Sequence, residues 1–185
     1  MKKLLLAPFL AALAVFFLGF LYWGLPPHLP YKALGTVADD SATALALGKM
    51  FPTSGAYVIP NPMGGDEKMM ALAKRGPTVE VHITKEPMTE IMQVKTMVLG
   101  FAHEFVICLL LTVLLCGLEK SFERWTCRVK FMAFLGFLVA VCDLGNAIWW
   151  HHDLCWTLAQ ALYDFLFYIV VGLVLAKFVT PKPAA

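Results

Sequence analysis

The chain has 185 residues, of which 59% are hydrophobic and 15% charged, and its mean hydropathy of +0.71 excludes an ordinary water-soluble domain. A formal net charge of +2 with no basic cluster excludes a nucleic-acid-binding surface. The excess apolar residues need a second solvent, and they are gathered into four runs, each about the 20 residues that a helix takes to cross the hydrocarbon of a bilayer.

The first run, 4–25, closes the segment 1–25 and follows Lys2 and Lys3. Two lysines, an apolar stretch and Ala12-Leu13-Ala14 also fit a cleavable signal peptide. However, the apolar run continues unbroken through Val15 to Tyr22, and cleavage would leave an orphan apolar fragment, so a retained anchor is expected. Pro26, Pro27 and Pro30 end this helix, because proline lacks the backbone donor and restricts the residue before it.

Residues 26–95 form an insert. Asp39, Asp40 and Ser41 cap a helix expected over 41–50, while Asp66 and Glu67 open a second one that Lys74, Arg75, Gly76 and Pro77 close. Strands are expected at 56–59 and 78–84, where Val79, Val81 and Ile83 alternate with Glu80 and His82. Two strands joined by a helix suggest a small βαβ-like unit. Its few apolar side chains make a marginal core that calls for cover from elsewhere. His82 falls on the polar face as a solvated residue. Met50, Met63, Met69, Met70 and Met88 offer an adaptable contact surface, without the clustered spacing of a copper site.

The second span is 96–118, followed by a connection at 119–130 that carries Lys120, Arg124, Arg128 and Lys130. The third span, 131–150, and the fourth, 154–176, are joined by a turn at 151–153 without Lys or Arg, and the tail 177–185 carries Lys177 and Lys182. By the positive-inside rule both termini and 119–130 are cytoplasmic and 26–95 is outside. Tyr22, Trp23, Trp149, Trp150 and Trp156 then lie near the outer interface, where aromatic belts occur. The expected fold is membrane all-α: a four-transmembrane-helix bundle with a small α/β extracytoplasmic insert between its first and second helices.

None of the five cysteines, Cys108, Cys116, Cys127, Cys142 and Cys155, lies in the insert, and no pair has CxxC spacing. Neither a disulfide framework nor a dithiol redox site is indicated. Within the spans they count as small apolar side chains.

Each of the last three spans carries one acid: Glu104, Asp143 and Asp164. A charge in the bilayer core costs at least about 2.5 kcal/mol, so such groups usually face a protein interior or a watery cavity. All three are expected at a similar depth below the outer interface. Asn146 shares a helical face with Asp143, and Gln160 and Tyr168 flank Asp164. His103 adjoins Glu104 but points about 100° away. Gly136, Ala140, Asp143 and Ala147 form one stripe, and Gly100 lies one turn before Glu104; small residues there let helices approach closely.

One reading of Glu104, Asp143, Asn146, Gln160, Asp164 and Tyr168 is a binding site for a proton, a cation or a small solute, its carboxyls sharing protons. The other is interhelical hydrogen-bond glue. Metal binding would draw on His103, or on His151, His152 and Asp153, but adjacent histidines on a helix diverge. Only His103 is clearly within a span, which leaves a bis-histidine haem without its second ligand. No HExxH, Walker, GxSxG or dinucleotide motif is present, and no metal or catalytic residue is assigned. The cofactor stays unknown.

Trp23-Gly24 at the end of the first span, Gly55-Ala56-Tyr57, Gly76-Pro77, an acid in each later span and the Gly172-to-Ala176 ending make the layout familiar. It resembles an uncharacterised group of small four-span bacterial inner-membrane proteins. The chain departs from that group in having Trp149-Trp150-His151-His152 where an Asn-Trp-Tyr turn is expected. The resemblance implies topology and a bacterial setting, and carries no activity. The expected partners are the lipid bilayer and other membrane-protein subunits, with no nucleic acid. The leading expectation is a non-catalytic accessory or assembly subunit of a larger membrane complex. The alternatives are a small transporter or ion- or proton-coupled protein, and an intramembrane enzyme acting on a lipid or quinone with the same acids as acid or base.

Overall fold

The computed structural model describes residues 2–26, 29–88, 93–118, 120–122 and 124–179. Of the residues singled out above, Pro27 and Lys182 lie outside them. In chain order the elements are α1 (Lys2–Gly19), a π-turn (Phe20–Gly24), a 3-10 turn (Leu29–Ala33), α2 (Asp40–Met50), β1 (Gly55–Ile59), a 3-10 turn (Pro62–Gly64), α3 (Asp66–Ala73), β2 (Val79–Ile83), α4 (Val94–Gly117), α5 (Trp125–Trp149) and α6 (Leu154–Phe178). Among the described residues four helices are long and apolar enough to cross a membrane: Leu5–Gly24, Val94–Gly117, Trp125–Trp149 and Leu154–Phe178. The chain divides into a helical unit, residues 1–35 and 92–185, and an insert unit, residues 36–91.

In the helical unit, α1 packs between α4 and α6, and α5 lies along α6. The core gathers Ala7, Ala11, Ala12 and Val15 from α1, Cys108, Leu111 and Leu115 from α4, Met132 from α5, and Phe167, Val171 and Leu175 from α6. Alanines recurring at helical spacing on α1 allow its neighbours close, the usual means of association where lipid is as apolar as leucine.

The seam between α5 and α6 is closely packed. A Cβ added at Gly136 would fall 2.6 Å from Tyr168 Cβ, and one at Gly172 would fall 2.7 Å from Met132 Cβ. At the far end of the same seam Arg128, only 2% exposed, donates from Nη1 to the Ala176 carbonyl at 2.9 Å. Arg128–Ala176, Met132–Gly172 and Gly136–Tyr168 are successive four-residue steps along two antiparallel helices. This ladder of short steps sets the register of everything above it.

α5 begins at Trp125, ahead of the apolar run that starts at 131, so Arg128 and Lys130 belong to the helix. Backbone hydrogen bonding does not stop where the hydrocarbon does, and Arg128 is held by the end of α6. Gly100 meets nothing within 4 Å, so it is not the point of close approach expected from its position.

In the insert unit, β1 and β2 pair antiparallel, with Gly55 opposite Ile83 and Ile59 opposite Val79. The expected βαβ-like arrangement would need a parallel pair. The 8-residue α3 climbs about 12 Å, less than the roughly 17 Å of a five-residue strand, and the chain re-enters the sheet from the end it left. Neither α2 nor α3 buries a residue, and among the described residues of the insert the best-covered apolar side chain is Phe51, whose ring lies 4.6 Å from that of Tyr57. Asp39 Oδ1 accepts from the Ala42 amide at 2.9 Å and caps α2. With so little core beneath it, α2 depends on that cap. Asp39→Ala is expected to destabilise the helix by about 1 kcal/mol, read as faster hydrogen exchange over 42–50 with no change in α4 to α6.

Candidate functional site

The α5–α6 ladder locates two of the three intramembrane acids. One further four-residue step from Gly136 and Tyr168 sets Ala140 opposite Asp164, with Asp143 a turn beyond Ala140. The carboxyls of Asp143 and Asp164 come into hydrogen-bonding relation. Tyr168, on the next turn of α6, has its hydroxyl within electrostatic reach of both.

Glu104 reaches the same region from α4. Its carboxylate and that of Asp164 both act on the Tyr163 hydroxyl, which sits against α1 at 3.0 Å from the place a Cβ on Gly19 would occupy. Tyr163 is thus within electrostatic reach of both Glu104 and Asp164. Cys108, one turn below Glu104, is buried beside it. Glu104 Oε2 and Asp143 Oδ2 are buried with no hydrogen-bond donor among the described residues. An unsatisfied buried acceptor costs about 1–3 kcal/mol, so one on α4 and one on α5 need a reason.

The other expected members take different places. Asn146 contributes its main chain: its carbonyl accepts from the Trp150 amide at 3.1 Å and the His152 amide at 3.2 Å, closing α5. Gln160 is half-buried on α6, and among the described residues no hydrogen bond ties its side chain to the acids. His103 is exposed on the outside of α4, turned from Glu104 as adjacent helical residues must be. His151 is exposed at φ 56° in the turn before α6, a left-handed conformation that sets it apart from half-buried His152. Among the described residues, no three His, Cys, Asp or Glu side chains are grouped to hold a metal ion.

Tyr163 is the member that spacing missed. Reading along one face of α6 links Asp164 to Gln160 and Tyr168, whereas a side chain one position away points about 100° off that face. Here that direction leads to α1 and Glu104. The available signal was a phenol inside an apolar run, paired with a glycine on another span.

Aromatic rings stand over one end of the site. Trp23 lies 5.5 Å from Tyr163, 5.7 Å from Trp156 and 6.0 Å from Tyr31, and Tyr22 lies 5.4 Å from Tyr163. Tyr31 and Trp156 are 6.3 Å apart. The π-turn at Phe20–Gly24 presents Tyr22 and Trp23 to this group, and the Tyr22 hydroxyl donates to the Ala159 carbonyl at 2.8 Å. The rings fill the space between the end of α1 and the start of α6.

Comparison with protein-family models, with curated proteins and with solved structures finds no match to this chain. The functional reading rests on the chemistry of the helical unit.

Proposed function

We propose that this chain is a membrane protein that takes up a proton, a cation or a small hydrogen-bond-donating solute at Glu104, Asp143 and Asp164, with Tyr163 and Tyr168 beside them. The observation that carries this reading is the pair of buried acceptors, Glu104 Oε2 and Asp143 Oδ2, presented without donors by two different helices. Interhelical glue would have its acceptors matched to donors. Its setting on this reading is a bacterial inner membrane, with both termini in the cytoplasm and residues 26–95 on the other side, as the distribution of Lys and Arg supports.

A second reading, a non-catalytic accessory or assembly subunit, is favoured by the insert. Leu45, Met50, Met63 and Met88 are all at least two-thirds exposed there, Met63 at 90%. A partner subunit would cover them.

Native mass spectrometry of the protein extracted gently from its own membrane separates the two. The proposed site expects a non-covalent adduct on the wild type that is lost in Glu104→Gln at unchanged abundance. Other polypeptides bound in fixed ratio, with no adduct, would favour the accessory subunit. A Glu104→Gln protein that merely fails to accumulate would return the acids to a structural role.

A further inference from the structure

The sheet of the insert unit has two strands, so each strand has a second edge that no strand among the described residues pairs. What the free edge of β1 presents follows from one proline. Ile59 lies opposite Val79, and Pro60, which follows it, has no amide hydrogen. Ile59 and Val79 must therefore exchange both hydrogen bonds, since the other kind of pair would take a donor from residue 60. Hydrogen-bonded pairs alternate along an antiparallel ladder, so Tyr57–Val81 and Gly55–Ile83 are of the same kind. Ala56 and Val58 then turn their N–H and C=O groups outward, and among the described residues no hydrogen bond reaches them.

The two edges differ. On β2 the outward positions are Glu80 and His82, whose side chains lie 3.5 Å apart, and ionisable residues guard an edge against further pairing. β1, Gly-Ala-Tyr-Val-Ile, carries no charge. A groove of about 490 Å³ touches residues 56–62 and Leu72. Consecutive strand residues point to opposite faces, so a groove that meets all of 56–59 lies along the edge.

We propose that the free edge of β1 pairs with β1 of a second copy of this chain, antiparallel about a two-fold axis at Tyr57, to give one four-stranded sheet across a dimer. In that register Ala56 faces Val58 of the second copy and Val58 faces its Ala56, which matches every outward donor and acceptor of the two residues in both copies. Tyr57 meets its counterpart, and no like charges are brought together. Centring the pair on Val58 would instead set Ala56 against Pro60, which cannot donate. A two-stranded sheet is marginal alone, and the added strands supply what the thin core of the insert lacks. Five residues bury too little area to join two soluble proteins. Here α1 before the insert and α4 after it confine both copies to one membrane, which raises their effective concentration. The inference is independent of the intramembrane acids.

Cysteine pairs read the register. In the proposed sheet Ala56 of one copy lies about 5.5 Å, Cα to Cα, from Val58 of the other, within the span of a disulfide. Full-length chains carrying Ala56→Cys and Val58→Cys are made together in one membrane under two epitope tags and oxidised with copper phenanthroline. The wild type, with its five native cysteines, is the blank. The mixed pair is expected to cross-link roughly tenfold faster than either variant alone, whose like positions are diagonal neighbours about 7–8 Å apart. Val58→Pro removes an outward donor from each copy and leaves the bonds to β2 in place. It should cut amine cross-linking of the dimer roughly tenfold, with the Val81 amide still protected from hydrogen exchange. Should the proline expose Val81, Val58→Lys is read instead, since it keeps every main-chain group and brings like charges together near the axis.

No cross-link above the blank, or equal rates for the mixed pair and either variant alone, overturns the pairing. So does a dimer that neither Val58 variant weakens. A wild-type monomer whose Val58 amide is protected in its membrane also overturns it, and gives the edge to a strand from a different protein.

Discussion

Gly136→Leu is expected to destabilise the helical unit by about 3 kcal/mol, the upper part of the usual range for overpacking. A Cβ at this position already falls 2.6 Å from Tyr168 Cβ and 3.2 Å from the Phe165 carbonyl oxygen. Neither is the movable end of a side chain, so α5 and α6 must part along the seam. Even Gly136→Ala introduces the clash and should cost about 1 kcal/mol. Gly100→Ala is the matched control, since nothing lies within 4 Å of its added methyl; it should be neutral or slightly stabilising through helix propensity. Thermal unfolding of the three variants in one detergent reads the order directly. Equal losses for Gly136→Ala and Gly100→Ala would remove close packing as the explanation. Because Tyr168 is the contact, parting the seam also shifts the residue that flanks Asp164. The Gly136 variants are therefore expected to disturb the surroundings of Asp164 before they lose their fold.

The architecture could be read from the chain because bilayer thickness and backbone hydrogen bonding leave few solutions for four apolar runs. Capping chemistry was legible for the same kind of reason: Asp39 precedes α2, and Asp66 and Glu67 occupy the first turn of α3. Strand positions followed from alternation, but strand direction did not. Periodicity is a property of one segment, whereas the antiparallel pairing of β1 with β2 depends on how the 60–78 connection returns. Helix order around a bundle is hidden in the same way. Each intramembrane acid is conspicuous alone, yet nothing in the spacing of 104, 143 and 164 tells which spans touch. That α1 lies between α4 and α6 depends on its small alanines and on Gly19, whose role appears only against Tyr163. Gly100 and Gly136 look alike in sequence; only the fold separates the glycine that faces another helix from the one that does not.

Arg128 tests the opposite end of the seam. A buried guanidinium at the start of α5 is a costly feature, and it is held by main-chain acceptors: the Ala176 carbonyl at 2.9 Å and the Phe122 carbonyl at 3.1 Å. Ala176 lies in the last turn of α6, where carbonyls lack intrahelical donors and the helix dipole is negative, so a cation there does two jobs. Arg128→Ala removes these bonds and opens a gap at the first step of the register; a loss of about 3 kcal/mol is expected, from hydrogen bonds to a charged group at about 1.5–3 kcal/mol and the acceptors left behind. Arg128→Lys keeps the charge but replaces a rigid fork with a single ammonium, and should recover only part of it. The two variants separate geometry from charge: if Lys restores the full unfolding midpoint, the dipole alone holds the end of α6. An unchanged midpoint in Arg128→Ala would mean that water satisfies the freed carbonyls, and that the seam from Met132–Gly172 up to Gly136–Tyr168 keeps its register, and with it the meeting of Asp143 and Asp164, by close packing alone.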